Sequence, residues 1–499
     1  MSYVLGIDLG TSSLKGSVFN ELGTLIYSSS CGYPLIQSQK GYSEQNPLEW
    51  INALDKVMEE LESKVLDFGK NLSGISFSGQ MHSLVLLDRN NQVIRNSILW
   101  NDVRTTEQCK RIMNDFGDSV LTITKNIALE GFTLPKILWV QEKEPENWEK
   151  VDKIMLPKDF LGMYLTGKFY TDYSDAAGTL LLDEENREWS QKICEKFRIP
   201  TKSLPEIYES KDYIGYVKDD IATRYRINKS VRVFSGGADN ACGAIGAGIF
   251  TSEASMVSIG TSGVFLGFEE NAKNDYEGKL HYFNHALENK YYSMGVTLAA
   301  GNSLSWFKDT FAPNRNFASL LEQVDKIKPG SEGLMFTPYI SGERTPYVDS
   351  EIRGSFIGID SSHTIDHFLR ALLEGITYSL KDSQEIFNNI TKKQPKYIVS
   401  IGGGAKNREW LQIQADIFNS TILTLGNDQG PSLGAAIIAA VGLNWYTSFD
   451  EASKYFIRYK DKIEPIPKNV SLYEEGYKKY KRIYPATKYI DGTNLKEKL

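Results

Sequence analysis

Two stretches far apart in the chain carry the same chemistry. Asp8-Leu9-Gly10-Thr11-Ser12 and Ser258-Ile259-Gly260-Thr261-Ser262 each lead an apolar strand into a Gly-Thr-Ser turn. Such a turn can aim successive backbone N–H groups and a threonine hydroxyl at a phosphate, and Asp8 at the strand end offers a hard oxygen to Mg²⁺. Lys15 on the outgoing strand either adds a cation near the phosphates or is a plain surface residue. One copy alone reads as a hairpin turn; a copy in each half brings phosphate binding level with that plain reading. Gly402-Gly403-Gly404 has more glycines than a turn needs and lets backbone approach a flat or charged ligand, with Asn407 at the next helix start. Asp239 stands in a collar of small residues, Gly236-Gly237-Ala238 before it and Asn240-Ala241 after it. It reads either as a helix N-cap or as an accessible general base that accepts a hydroxyl proton. Gly79-Gln80-Met81-His82 gathers polar groups around one histidine, and Trp100-Asn101-Asp102-Val103-Arg104 has the makeup of a sugar-hydroxyl site. Both also have ordinary core or surface readings.

These residues need elements to hold them. The pattern predicts three short strands from Tyr3 to about Ser30, a helix begun by Asn46-Pro47 and running to about Lys64, and further strands at Ile75–Ser78 and Val85–Leu87. Residues from about 105 to 205 read as mostly helical. The strand Val231–Phe234 runs into Asp239, and a small-residue helix follows to about Gly248. New hairpins then begin near Ser255, so the opening grammar recurs and implies two related halves. Later come a helix from about Ile365 to Ile390, the strand Tyr397–Ile401, a helix from about Asn407 to Asn419, and a last small-residue helix opened by Gly430-Pro431-Ser432. The interleaving makes the class α/β, with ligands expected at strand ends. The tail from about Tyr473 reads as a solvated helix and loose end. Gly162–Lys168 fits the first places of a phosphate loop, but Phe169 stands where a Ser or Thr must reach Mg²⁺, and the stretch has a helical pattern.

At about 150 residues per domain, 499 residues imply two or three domains. With 41% hydrophobic and 24% charged residues, large cores are available and global disorder is excluded. A net charge of -7 lacks the basic excess of a nucleic-acid binder. Cys31, Cys109, Cys194 and Cys242 are too scattered for a metal or redox motif and read as thiols in a reducing compartment, which predicts a cytoplasmic protein. No export signal or membrane span is predicted.

Taken in order, the motifs resemble the FGGY family of carbohydrate kinases, through Gly6-Ile7-Asp8-Leu9-Gly10-Thr11-Ser12, Ser43-Glu44-Gln45, Gly79-Gln80-Met81-His82, Ile98-Leu99-Trp100-Asn101-Asp102 and Gly131-Phe132-Thr133. The series continues through Leu156-Pro157-Lys158-Asp159, Ser174-Asp175-Ala176-Ala177-Gly178-Thr179, Gly237-Ala238-Asp239-Asn240 and Ser341-Gly342-Glu343-Arg344-Thr345-Pro346. The resemblance implies an α/β fold of two ribonuclease H-like ATPase domains, of the actin and hexokinase type, with a cleft between them. Residues 1–247 would form the sugar-binding domain, with a helical insertion at about 105–205, and residues 248–499 the nucleotide-binding domain.

It further implies that Asp239 is the catalytic base, that Asn240, Met81 and His82 bind the sugar, and that Trp100, Asn101, Asp102 and Arg104 complete the substrate set. Gly10, Thr11, Ser12, Lys15, Gly260 and Thr261 would flank the ATP phosphates, and Gly301, Ser305, Gly403, Gly404 and Asn407 would meet the rest of the nucleotide. Asp8 would hold Mg²⁺ through water, with Asp239 a second candidate. Ala238, where relatives often carry glycine, adds a methyl group beside Asp239. The implied activity is transfer of the ATP γ-phosphoryl to D-xylulose, giving D-xylulose 5-phosphate. The alternatives are a gluconate kinase, with Arg104 meeting the substrate carboxylate, or another pentulose kinase of the family. A non-catalytic ATP-binding sugar sensor is the rival from a different class, and the presence of Asp8, Asp239 and both hairpins speaks against it. Implied partners are a small sugar and ATP, with no nucleic acid and no membrane. A homodimer is compatible with the sequence.

Overall fold

The computed structural model describes residues 1–427 and 429–490. Tyr3–Leu9 is buried on both faces, as a central strand with neighbours on each side must be. It runs antiparallel to Ser13–Asn20, which pairs in turn with Leu25–Gly32. On its other edge it runs parallel to Leu72–Gly79, followed by parallel Arg232–Phe234 and antiparallel Tyr213–Tyr216. Gly237–Ala238 also pairs with Leu72–Gly79. The register sets Asp8 opposite both Lys15 and Ser78, and Ala238 opposite Gly79. Three strand ends therefore deliver Asp8, Gln80 and Asp239 to one edge of the sheet. Beneath it lies the helix Pro47–Lys64, capped by the Asn46 side chain and burying Trp50, Leu54, Val57 and Leu61.

A second sheet repeats the order. Tyr291–Thr297, Gly263–Glu269 and Ala254–Ile259 form the antiparallel meander, then Tyr397–Gly402 and Thr421–Leu425 run parallel, and Tyr459–Ile463 closes the edge antiparallel. One strand, His281–Asn284, extends it beyond the meander and has too few residues to show an alternation in the sequence. The helices Ile365–Thr391 and Arg408–Phe418 cover one side, the first through Leu369, Leu372, Leu373 and Ile376. The architecture is thus the expected α/β pair of duplicated ATPase-type domains.

The stretch 105–205 is led by the helices Thr106–Thr124, Thr133–Lys143 and Pro157–Thr166, with short strands such as Tyr170–Asp172 between them. The helical part of the tail departs from its sequence reading, while the predicted loose end, from 491 on, lies outside the described residues. In the helix Pro467–Tyr480, Tyr473, Tyr477 and Tyr480 are buried, and Tyr473 donates to Glu374 at 2.7 Å while accepting from Arg370 at 2.9 Å. The lysines that suggested solvation occupy only the outer face. Three of the cysteines, Cys109, Cys194 and Cys242, are buried, and Cys31 is partly exposed. No helix among the described residues is long and apolar enough to cross a membrane.

Two small-residue helices lie between the sheets. Asp239–Ala247 packs on Pro431–Gly442, and the latter returns from late in the chain to press on Tyr3–Leu9. A Cβ at Gly434 would stand 1.9 Å from the Cys242 carbonyl oxygen, and one at Gly6 would stand 2.0 Å from that of Ser432. Backbone meets backbone there, and no side chain can fit. We expect Gly434→Ala to force the helices apart and cost about 1–3 kcal/mol. Urea unfolding measures the loss, and an unchanged midpoint would show that the contact gives freely.

Candidate functional site

The first hairpin is closed by Gly10 N–H donating to Ser13 O at 3.1 Å, and the second by Gly260 N–H donating to Ser262 O at 2.9 Å. Behind the first stands Gln45, whose amide donates to Thr11 O at 2.6 Å while its own oxygen accepts from Trp50 and Gln80. The Trp100 indole donates to the Thr11 hydroxyl at 2.9 Å. Ser12 is exposed at the tip. Lys15 donates to the Gln429 carbonyl at 3.1 Å and so links this hairpin to the loop ahead of Pro431–Gly442. Behind the second hairpin, Gly301 N–H donates to Gly260 O at 2.8 Å, while Asn302 N–H and Ala300 N–H both donate to Thr261 O. This seats the start of the helix Gly301–Phe311 on the turn, and a Cβ at Gly301 would meet Gly260 O at 2.3 Å.

Two pockets share the second hairpin. The larger, about 610 Å³, is lined by Gly260, Thr261, Gly301, Ser305, Gly403, Gly404 and Asn407, all predicted from the sequence. Asn302, Phe317, Leu321, Lys406 and Trp410 are among the further residues that line it and were not foreseen. Its size and its mix of apolar walls and exposed backbone suit a nucleotide. Asn407 uses its side-chain oxygen to cap the helix Arg408–Phe418, accepting from Trp410 N–H at 2.9 Å, which fixes the amide at the pocket wall.

The smaller cavity, about 210 Å³, lies where the halves meet. The first half supplies Met81, His82, Trp100, Phe132, Asp239 and Asn240, and the second supplies Ser262, His281, Met294 and Arg344. Thr261 and Ser262, adjacent on one turn, thus face different pockets. His82 sits at φ 68°, a conformation costly for a residue with a Cβ and typical of functional sites. Its Nδ1 lies 2.6 Å from the Gly178 carbonyl oxygen, so Nδ1 carries the proton and Nε2 remains as an acceptor. Burial pushes the ring down to about 3 and keeps it neutral. The Asp239 carboxylate is raised to about 7, first by burial and then by the charge of Asp8, while Asn240 pulls it back through its backbone N–H at 2.7 Å and its amide at 3.0 Å. Asp8 rises to about 6, also by burial, with Lys15 and Ser78 opposing. Oδ1 of Asp8 is buried with no hydrogen-bond partner, a vacancy in its bonding that a hydrated Mg²⁺ would satisfy.

Three predicted substrate residues are not brought to this cavity. Asp102 is fully buried and accepts from Ser43 N–H at 2.6 Å and from the Arg104 guanidinium at 2.6 and 2.8 Å. Arg104 also pairs with Glu44 at 2.7 Å and stacks 3.6 Å over Tyr42. Both charges are spent on one another and on residues distant in sequence, and neither residue lines the cavity. Asn101 is exposed and outside the cavity wall. Ala238 is buried, with its methyl group outside that wall as well. Arg344, His281, Met294 and Phe132 are cavity residues to which sequence reasoning gave no role, although the Ser-Gly-Glu-Arg-Thr-Pro stretch around Arg344 was visible.

Fold and site together define a two-domain carbohydrate kinase. The N-terminal domain of the FGGY family of carbohydrate kinases matches residues 3–246, and the C-terminal domain of that family matches residues 255–443. The chain belongs to this family. It is 54% identical over 491 residues to the xylulose kinase of Lactococcus lactis subsp. lactis, covering 98% of each chain. Among solved structures, a ligand-bound xylulose kinase from Lactobacillus acidophilus superposes with a TM-score of 0.93 at 28% identity, covering 97% of this chain and 98% of that one. A gluconate kinase from the same organism gives 0.92 at 28% identity, with the same coverage.

A buried charge cluster backs the base. The Lys158 ammonium lies 2.5 Å from Asp159, 2.8 Å from Asp172 and 3.5 Å from Asp175, all of them fully buried. Burial opposes the lysine charge, but the three carboxylates outweigh it and hold the group well above its usual value. Asp172 accepts from the Ser174 hydroxyl at 2.5 Å, and that hydroxyl accepts from Ala238 N–H at 2.9 Å, one residue before Asp239. Removing the only cation of such a cluster leaves uncompensated charge. Lys158→Met is therefore expected to cost about 3–5 kcal/mol, measured by denaturant unfolding; a loss below about 1 kcal/mol would mean that the carboxylates relieve themselves by protonation.

Proposed function

We propose that the chain transfers the γ-phosphoryl group of ATP to the 5-hydroxyl of D-xylulose, with Asp239 accepting the hydroxyl proton. The observation that carries this reading is the second hairpin: Thr261 lines the nucleotide-sized pocket and Ser262 lines the cavity that holds Asp239. A phosphoryl group cradled there has the acceptor hydroxyl on its far side. Phosphoryl transfer asks little covalent chemistry of a protein, so positioning and charge neutralisation supply most of the rate. His82 Nε2 accepts from a sugar hydroxyl, Asn240 steadies the base, and Phe132 and Met294 exclude water. Mg²⁺ beside Asp8 neutralises the nucleotide phosphates when bound.

One observation favours a second reading, phosphorylation of gluconate: Arg344 brings positive charge to the cavity wall. ADP release measured with D-xylulose, D-gluconate, L-ribulose and glycerol separates the two. We expect D-xylulose to give the highest kcat/KM, and a preference for gluconate would overturn the proposal. Asp239→Asn should lower kcat by about 10²–10⁴-fold with ATP affinity nearly intact. A loss under about tenfold would remove Asp239 from the role of base.

The raised carboxyl of Asp239 also has a signature in stability. The folded protein binds this proton more tightly than the unfolded chain, whose value is near 3.8, so folding loses free energy as pH climbs from there to about 7. Thermal unfolding should accordingly find Asp239→Asn more stable than the wild type near about pH 8, by a margin that shrinks as pH is lowered toward about 4. A margin independent of pH would place the charge in water.

A further inference from the structure

Arg344 reaches the sugar cavity from the half that carries the nucleotide pocket, on a loop held with little freedom. The buried Glu343 carboxylate accepts from Arg344 N–H at 2.7 Å and Leu298 N–H at 3.2 Å through one oxygen, and from the Thr297 and Ser379 hydroxyls at 2.6 and 2.9 Å through the other. Thr345 is stitched to Val296 by its N–H donating to the Val296 carbonyl and its hydroxyl accepting from Val296 N–H, each at 3.0 Å. That strand itself lines the cavity through Met294 and Val296. The guanidinium, by contrast, makes no hydrogen bond or ion pair among the described residues, so a firmly placed set of donors faces the cavity with its capacity unused. Among the charges that depress His82 and His281 is that of Arg344, whereas Asp239 responds to Asp8 and Asn240. Arg344 thus shares the cavity wall with two histidines whose rings both meet that of Phe132. Burial weighs against its charge and holds it below the usual arginine value, and Glu130 and Glu343 offset that only in part, so a ligand oxygen that accepts from the guanidinium is favoured.

We propose that Arg344 is the specificity residue of the sugar cavity, donating hydrogen bonds to the ketone oxygen of the bound sugar at the end opposite the phosphorylated hydroxyl. A ketone oxygen can only accept, which calls for a donor that cannot also accept, and guanidinium is one. His82 Nε2, an acceptor on the same wall, suits the neighbouring hydroxyl. The inference rests on the D-xylulose reading, and the test keeps the two apart.

In Arg344→Gln, loss of a charged donor should raise the KM for D-xylulose by about tenfold to a hundredfold, while ADP affinity stays within about twofold of the wild type. Binding of a 2-deoxy pentitol, which carries a methylene in place of the ketone and so offers no acceptor there, should weaken far less, so the preference for the ketose over the deoxy pentitol collapses. Arg344→Lys, which keeps the charge but loses the fork, should retain part of that preference, and it serves if the Gln variant does not fold. An unchanged KM for D-xylulose, an equal loss on the 2-deoxy pentitol, or a loss of ADP affinity by the same factor would each overturn the assignment. If the wild type turns over D-xylulose and any of these results appears, the assignment alone falls. If the wild type does not phosphorylate D-xylulose, the substrate reading falls and takes the assignment with it.

Discussion

The structure depends on the backbone contact between the two small-residue helices at its centre. Asp239–Ala247 and Pro431–Gly442 can approach closely because Gly434 presents no Cβ to the Cys242 carbonyl, and Gly6 presents none to that of Ser432. A helix packed through ordinary side chains keeps its neighbour about 8–10 Å away. Closer packing brings the carboxyl ends of both sheets to a common cleft, so that Asp8, Asp239 and the hairpin Gly260–Ser262 come within reach of one ligand set. The Ser17 and Ser432 hydroxyls, 2.9 Å apart, and the bond from Lys15 to Gln429 fasten the same junction at its rim.

That junction also sets the electrostatics. Asp8 and Asp239 end strands that flank Leu72–Gly79 on either side, and burial makes both carboxyl groups hold protons more tightly than free aspartate does, with the charge of Asp8 raising Asp239 further. The arrangement is unfavourable for folding, and the rest of the molecule must offset it. Part of the compensation is the chain of bonds from Lys158 through Asp172 and Ser174 to Ala238, which fixes the backbone entering Asp239 without donating to the carboxylate itself. A base neutralised by its supports would accept no proton, so support through the backbone is the form that preserves its chemistry.

Which features could be read from the sequence follows from how local each signal is. The Gly-Thr-Ser hairpins, the glycine run at Gly402 and the collar around Asp239 are legible because a few adjacent residues specify both the backbone turn and the group it presents. Asp102 and Arg104 misled because charge next to a tryptophan looks the same whether it faces a ligand or a partner. The deciding residues, Ser43 and Glu44, lie far away in the sequence and meet them only in the fold. Arg344 went without a role for the converse reason: what makes it notable is that its guanidinium has no hydrogen-bond or ion-pair partner among the described residues, in a cavity that both halves build. Tyr473, Tyr477 and Tyr480 share a helix with lysines, and only the surface they cover, including Glu374 and Asp382, makes them core.

The cavity has walls from both halves, whereas the nucleotide pocket belongs to the second alone. A sugar held by His82 on one side and by Arg344 on the other gains its full affinity only when the halves stand at the spacing that completes the cavity. Part of its binding free energy therefore goes into holding that spacing. The same spacing brings the hairpin at Thr261 up to Asp239, so whatever favours it for the sugar favours it for a phosphoryl group cradled there. By linkage the preference is mutual: a nucleotide that stabilises the closed spacing strengthens sugar binding by the same factor. On the proposed reading, a site divided between the two halves favours transfer to sugar over transfer to water, because water bridges neither wall and contributes nothing to holding them together.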